Sequence, residues 1–393
     1  MRIAIVGGGI GGFSAALAIA KAGLEVTVFE QSPGVHEVGA GIQISPNAIR
    51  VLEYLGLGVA LKEISVFPER VVFRRWQDDA IIRETSVDEA FSTQHGSPLS
   101  NLARTDLIEI LAAAVRAQPM ITVYYGSHVT QVEPGENEST IVFADGTAST
   151  FDIVIGADGI HSVVRPSVGG TDSARFSGSV AYRALVPGDA ARDLPIEVTN
   201  RVGPDRHVVS YFIGRDCKFF NLVCISPEND WTTESWTERG TLDDLRSRFE
   251  GWSPQFLSII DRVEEPIFRW ALYDREPLAQ WGVGTTTLLG DAAHPMLPFM
   301  AQGSCQAIED AVVLSRCLSE VGTTGIAQSL RRYEDARRER TSQIQTASFM
   351  NRDLFHMPDG QGQKDRDAFL SSGVGGLSAL DWVYGHDALS API

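Results

Sequence analysis

Gly7, Gly9 and Gly12 stand in GxGxxG spacing directly after the short apolar run Arg2 to Val6. Ser14 to Ala22, rich in Ala, Leu and Ile, reads as a helix; Gly23 stops it, and a β-branched run from Val26 to Phe29 ends on Glu30. In such a strand–turn–helix unit the first glycine makes the tight turn. The second lets backbone approach a pyrophosphate, and the third lets helix pack on strand. The pyrophosphate then meets the positive end of the helix, and Glu30 is placed to accept hydrogen bonds from a ribose. The stretch reads as a dinucleotide site and leaves open whether the ligand is FAD or NAD.

Two further stretches carry an Asp at the carboxyl end of a strand, where doubly wound sheets bind ligands. One runs from Asp152 through Asp158-Gly159, Ser162 and Arg165; the other is Gly290-Asp291-Ala-Ala-His294-Pro295, followed by Pro298, Gln302, Gly303 and Glu309-Asp310. A fourth stretch, Arg206 to Phe212, places His207, Val209 and Tyr211 on one face of a strand, since alternate residues share a face. An imidazole beside a phenol suits removal of a proton from a ring hydroxyl, and a pKa near neutrality makes His the natural base. The other reading of that face is a half-buried sheet surface.

The elements that must position these residues follow from the rest of the chain. With 393 residues, 44% apolar and 21% charged, this is a soluble globular chain of about two or three domains. A net charge of -17 argues against nucleic acid or an anionic membrane as partner. Cys217, Cys224, Cys305 and Cys317 lack CxxC or metal-finger spacing and read as reduced thiols, and no metal site is expected. No stretch approaches the roughly 20 apolar residues of a membrane span, so the expected location is cytoplasmic.

Ser45-Pro46-Asn47 opens a helix to about Tyr54, and Arg104 to Ala117 is an amphipathic helix. Ser86 to Ser97 reads as a polar loop, Thr241 to Phe256 as a helical insert, and Pro358 to Gly376 as irregular. Buried-type strands at Phe151 to Ile155 and Thr285 to Leu289 belong with the first unit. Between them, Ser177 to Trp270 alternates Val, Phe and Tyr like an antiparallel sheet with one exposed face. The expected fold class is α/β: a Rossmann-type dinucleotide-binding domain with an inserted, mainly antiparallel β-sheet substrate domain and C-terminal helices. The domains are 1–70, 101–176 and 271–345 for the dinucleotide, 71–100 and 177–270 for the substrate sheet, and 346–393 as a C-terminal segment.

Taken with Arg104 and the Tyr333-Glu334…Arg337…Arg340 run, the three motifs in this order resemble the single-component FAD-dependent aromatic hydroxylases of the para-hydroxybenzoate hydroxylase fold, over nearly the whole chain. The resemblance implies a bound FAD whose ADP half lies on Gly7, Gly9, Gly12 and Glu30. It implies that Arg104 reaches the chain between pyrophosphate and ribityl, that Asp158 occupies a position associated with FAD and the reduced nicotinamide, and that Asp291 binds ribityl hydroxyls. Pro298 to Gly303 would line the isoalloxazine, with the following helix directing its dipole at the flavin, and Gly41 and Ser304 are further cofactor-binding candidates. The implied reaction uses NAD(P)H and O2 to hydroxylate a ring through a flavin C4a-hydroperoxide, with or without loss of CO2. NADH is favoured over NADPH because no Arg cluster for a 2′-phosphate stands out.

The His207 strand is similar in spacing to that of the salicylate and 6-hydroxynicotinate hydroxylases. Gln43 and Phe299 stand where the latter have histidine, so the substrate is expected to be a hydroxylated aromatic or pyridine ring, with a carboxylate as an option. Arg183 is a candidate partner for that carboxylate, set against an ion pair at the sheet edge. Arg165 and the Tyr333 to Arg340 run read as structural salt-bridged groups, His161 and His294 as structural, and Cys305 as a buried thiol. A FAD-dependent dehydrogenase or reductase, or a non-catalytic redox sensor, on the same fold is the alternative. The chain is expected to be a monomer or homodimer.

Overall fold

All four residues of the strand Ile3–Val6 are buried, as an apolar run without alternation requires when both faces of a parallel sheet are covered. In the computed structural model, which describes residues 1–34, 41–170, 173–228, 238–372 and 377–393, this strand lies inside a six-stranded sheet. Its order is 282–283, 286–288, 153–156, 3–6, 26–30 and 121–125, parallel except at the 282–283 edge. The helix Ile10–Lys21 packs between this sheet and the helix Gly303–Ser319. Most of the loop expected at Pro33 to Gly41 lies outside the described residues.

The second large sheet has eight strands in the order 239–240, 264–274, 175–187, 219–227, 206–213, 198–203, 70–75 and 81–86. It is mixed rather than purely antiparallel: the pair 70–75 and 198–203 is parallel. Those two strands come from separate passages of the chain, so no hairpin forces them to run in opposite directions. A two-stranded ladder, Gly41–Ile44 with Ser100–Ala103, leads into the helix Arg104–Ala117.

Three local expectations change. The Ser86 to Ser97 loop contains the helix Glu89–His95, started by Asp88, whose carboxylate accepts the Ala90 and Phe91 N–H groups. The insert at Thr241 to Phe256 is two helices, Leu242–Arg248 and Pro254–Ile260, the second opened by a proline at a position that needs no N–H donor. The Pro358 to Gly376 tail forms the helix Gln361–Ser371, apart from 373–376, which lie outside the described residues. Arg83 Nη1 donates to Leu370 O at 3.2 Å and Ser371 Oγ to Ile82 O at 3.1 Å, so packing on the 81–86 edge supports a helix that local propensity alone does not announce.

The Tyr333 to Arg340 run is structural. Helix Gly303–Ser319 carries Glu309 and Asp310; the long helix Ile326–Phe355 carries Arg337 and Arg340. Arg337 donates to Glu309 Oε2 at 2.6 Å, Asp310 Oδ1 at 2.7 Å and Gln306 Oε1 at 2.7 Å, while Arg340 reaches both Glu309 oxygens at 2.9 Å. Asp310 Oδ2 accepts the Gly290 N–H at 3.0 Å and lies 2.6 Å from His294 Nε2. Asn47 Nδ2 donates to Glu309 at 2.6 Å, and Gln302 joins Asn47 to Ser45.

Burial by itself would raise the Glu309 carboxyl, but Arg337 and Arg340 outweigh it and hold it down at about 2. A carboxyl lowered on folding contributes stability that is complete above its unfolded value, about 4.3, and is lost as pH falls toward the folded value; here that is on the order of 3 kcal/mol. Arg337→Met leaves buried carboxylates uncompensated and is expected to cost about 3–5 kcal/mol in denaturant unfolding at neutral pH. The deficit should shrink as pH falls from about 4 toward 2, where the unfolded chain and the variant take up protons that the wild-type Glu309 still refuses; a loss at neutral pH indistinguishable from zero would show that the cluster is not stabilising.

Candidate active site

At the carboxyl end of Ile3–Val6 the chain turns so tightly that a Cβ on Gly12 would stand 2.0 Å from Gly7 O. Only glycine lets the helix start this close to the strand. Gly9 differs: its backbone is extended (φ -79°, ψ -169°) and a Cβ there would meet nothing within 4 Å. The fold itself does not need glycine at this position, and the open space lies at a helix N-terminus, where a pyrophosphate is favoured.

Glu30 accepts the Gly8 N–H at 2.6 Å and the Ser32 N–H at 2.8 Å, which orients the carboxylate and leaves lone pairs for ribose hydroxyls. Asp158 lies against Gly7. Its Oδ2 accepts the Val163 N–H at 2.7 Å, but its buried Oδ1 has no partner, and burial raises its carboxyl above the usual range. A buried acceptor without a donor is a place where a ligand hydroxyl or N–H completes the count. Arg165, 1% exposed, donates to Ala292 O at 2.9 Å and Ala293 O at 3.0 Å. It thereby ties the Asp158 loop to the Asp291 loop.

Beyond these loops lies a cavity of about 250 Å³ between the eight-stranded sheet and the 295–304 segment. Arg104, Asp291, Pro298, Gly303 and Ser304 line one side. Gly41, Gln43, Arg183, His207 and Tyr211 line the other. Surrounding protein pushes the Asp291 carboxyl up, with His294 and Arg104 pulling against it. Gly41 has no room for a side chain, since a Cβ would be 2.6 Å from Asn221 Cγ and 2.8 Å from Tyr211 Cε2. The Arg183 guanidinium sits 4.1 Å above the Trp270 ring centre, with Nη1 3.4 Å from Gly41 O.

A second chamber of about 290 Å³ shares Gln43, His207, Val209, Pro298, Ala301 and Gln302 with the first. Phe299 lines only this one. Its described lining includes no Lys, Arg, Asp or Glu; the polar side chains reaching it include Gln43, Asn200, His207 and Asn351. His207 is 2% exposed, with its ring centroid 5.0 Å from Phe299 and 5.4 Å from Phe355. Burial drives its pKa well below the ordinary value, so the ring is neutral at working pH. Burial likewise raises the Tyr211 phenol, which stays protonated as a donor. Cys305 has its Sγ 3.3 Å from Ser45 Oγ, and burial pushes its thiol up to about 11; it is a packing residue and not a nucleophile.

Sequence reasoning missed His356, whose Nε2 is 2.8 Å from His207 Nδ1. It also missed the chamber's far wall, built by Ala347, Asn351, Leu354 and Phe355 with Trp382 and Tyr384. The apolar spacing along the last turns of the long helix was the available signal. Nothing local joins residues 149 positions apart. The four cysteines are free thiols, and among the described residues there is no cluster suited to a metal and no helix long and apolar enough to cross a membrane.

A doubly wound sheet with an open glycine cradle, a carboxylate at the end of its second strand and a cavity under a helix N-terminus is the arrangement of a dinucleotide site, and the chemistry of Gly9, Glu30, Asp158, Arg104 and Asp291 is compatible with FAD. The profile described as FAD binding domain matches residues 1–348, and the chain belongs to that family. It is 38% identical over 395 residues to 3-amino-4-hydroxybenzoate 2-monooxygenase PtmB3 of Streptomyces platensis, covering 100% of this chain and 97% of that one. It is 35% identical to 6-hydroxynicotinate 3-monooxygenase of Pseudomonas fluorescens, covering 89% and 91%. Among solved structures, Klebsiella pneumoniae HpxO complexed with FAD and uric acid superposes with a TM-score of 0.85 at 28% identity over 100% and 97% of the chains. The protein is a FAD-dependent monooxygenase.

Because Gly9 has room for a side chain, Gly9→Val should leave the unfolding temperature of the FAD-free protein unchanged while abolishing FAD retention on gel filtration. Retained flavin in this variant would move the pyrophosphate elsewhere.

Proposed function

We propose that the protein hydroxylates an aromatic or pyridine ring that already carries a hydroxyl group, with a reduced nicotinamide, NADH by preference, as electron donor. The observation that carries this reading is the shared wall: the flavin cavity and the uncharged chamber are both lined by His207, Gln43 and the Pro298 loop. A flat ring held in the chamber would therefore lie beside the cavity that FAD would occupy. Bound FAD supplies two-electron reduction and activation of O2.

The chain's own residues prepare the ring. His207 accepts the proton of the ring hydroxyl, which raises the ring's electron density, and its neutrality leaves a lone pair for that task. No hydrogen bond to its Nε2 is made by the described residues, so this nitrogen is the one offered to the substrate. The Gln43 amide orients the ligand as a donor from the shared wall, and the Tyr211 phenol donates from the side of the flavin cavity. A carboxylate on the ring would meet the amides of Gln43, Asn200 and Asn351 inside the chamber. Arg183 approaches from the neighbouring cavity, held by Trp270 and the Gly41 carbonyl. Phe299 and Phe355 keep water from the imidazole.

The relatives named for 3-amino-4-hydroxybenzoate and 6-hydroxynicotinate support the substrate class. The test is a screen of hydroxybenzoates, aminohydroxybenzoates and hydroxypyridine carboxylates with holoenzyme and NADH. Ligand-stimulated NADH oxidation with a product one oxygen atom heavier is expected; NADH oxidation that never yields an oxygenated product would favour an oxidase or dehydrogenase. His207→Ala should retain FAD and lose about 10²–10⁴-fold in hydroxylation rate, whereas an unchanged rate would remove His207 from the reaction.

A further inference from the structure

The two histidines meet from opposite parts of the chain. His207 lies in the strand Arg206–Ile213; His356 directly follows the helix Ile326–Phe355. Their rings are linked Nδ1 to Nε2 at 2.8 Å, and the Asp205 N–H donates to His356 O at 3.2 Å, which pins the strand turn to the helix end. His207 is enclosed, whereas His356 is half-buried and reaches the surface side. We propose that His356 is a positioning residue which relays the substrate's proton from His207 to solvent. The inference rests on the ring-hydroxyl reading above.

The relay explains how an enclosed imidazole can act as a base at all. A lone His207 taking a proton would become a buried cation, and desolvation opposes that strongly. In the relay the substrate O–H bond breaks as Nε2–H forms on His207. The Nδ1–H bond of His207 breaks in turn as Nε2–H forms on His356, and the Nδ1 proton of His356 passes to water. The net result is a ring oxyanion in the chamber, one proton in solvent, and two neutral imidazoles with inverted tautomers. After oxygen transfer the same steps run backwards. The charged groups facing His356 are Arg352, which opposes a cation there, and Asp353, which favours one. Phe299 and Phe355 are the uncharged rings packed against the pair. Burial and Arg352 bring His356 down to about 4, so it carries a second proton only in passing.

Two measurements on the holoenzyme test this. In ¹⁵N-histidine NMR at neutral pH, His207 is expected neutral with its proton on Nδ1. A charged His207, or a proton on Nε2, would overturn the relay, and this result does not depend on turnover. The second measurement compares His356→Gln and His356→Ala. The amide oxygen of Gln can accept the His207 hydrogen bond but cannot pass a proton on, so both variants should lose at least tenfold in kcat with little change in KM or FAD content. Added imidazole should restore His356→Ala, increasingly so as pH rises and free base accumulates. Wild-type rates in His356→Gln, or no response to imidazole, would reduce His356 to packing. If His207→Ala is impaired while both His356 variants are not, the relay alone fails; if no ring is oxygenated by wild type, the substrate reading fails instead.

Discussion

The site depends on one buried ionic constraint, the clasp of Arg337 and Arg340 on Glu309 and Asp310. These four groups are removed from water at a large desolvation cost that only close, multiply hydrogen-bonded geometry offsets. That geometry has almost no freedom. Glu309 is also held by Asn47, and Asp310 by Gly290 and His294. The start of helix Gly303–Ser319, the loop before it and the helix Pro46–Tyr54 are consequently locked to one another. Pro298, Ala301 and Gln302 of that loop line both cavities, and Gly303 and Ser304 line the first, so the clasp fixes the wall that the two cavities share.

The charge distribution separates two tasks. Around the dinucleotide the chain offers formal charges and a helix terminus: Glu30, Asp158, Arg104, Asp291 and the open cradle at Gly9. These groups suit a polar cofactor that must stay bound. The substrate chamber is lined instead by amides, aromatic rings and one imidazole. An uncharged lining by itself opposes a ring oxyanion through desolvation, so in the proposed reaction ionisation would depend on His207 taking the proton.

Much of the cofactor half was legible without coordinates. The strand–helix–strand stretch from Ile3 to Glu30 is contiguous, and its glycines act on their immediate neighbours, so spacing alone carries the geometry. Asp158 and Asp291 follow strands in the same manner. Arg165 and Arg337 were readable as structural charges, although nothing local identified their partners. The substrate half was less legible. Period-two alternation put His207, Val209 and Tyr211 on one face and the mainly antiparallel character of the sheet was expected, but the pattern gave no sign of the parallel pairing of 70–75 with 198–203. The tail looked irregular because its helix is supported by the 81–86 edge and not by its own composition.

The sequence by itself determined the dinucleotide unit, the order of the motifs and the residue types able to bind a flavin or hold a proton, because each rests on short-range spacing. Only the tertiary structure decided which of those residues share a cavity, that the chamber is uncharged and closed by the C-terminal helices, and that His207 has His356 as its neighbour. Those contacts join positions separated by well over a hundred residues. They arise from the packing of two sheets and a long helix around a buried charge cluster, and no local pattern encodes that distance.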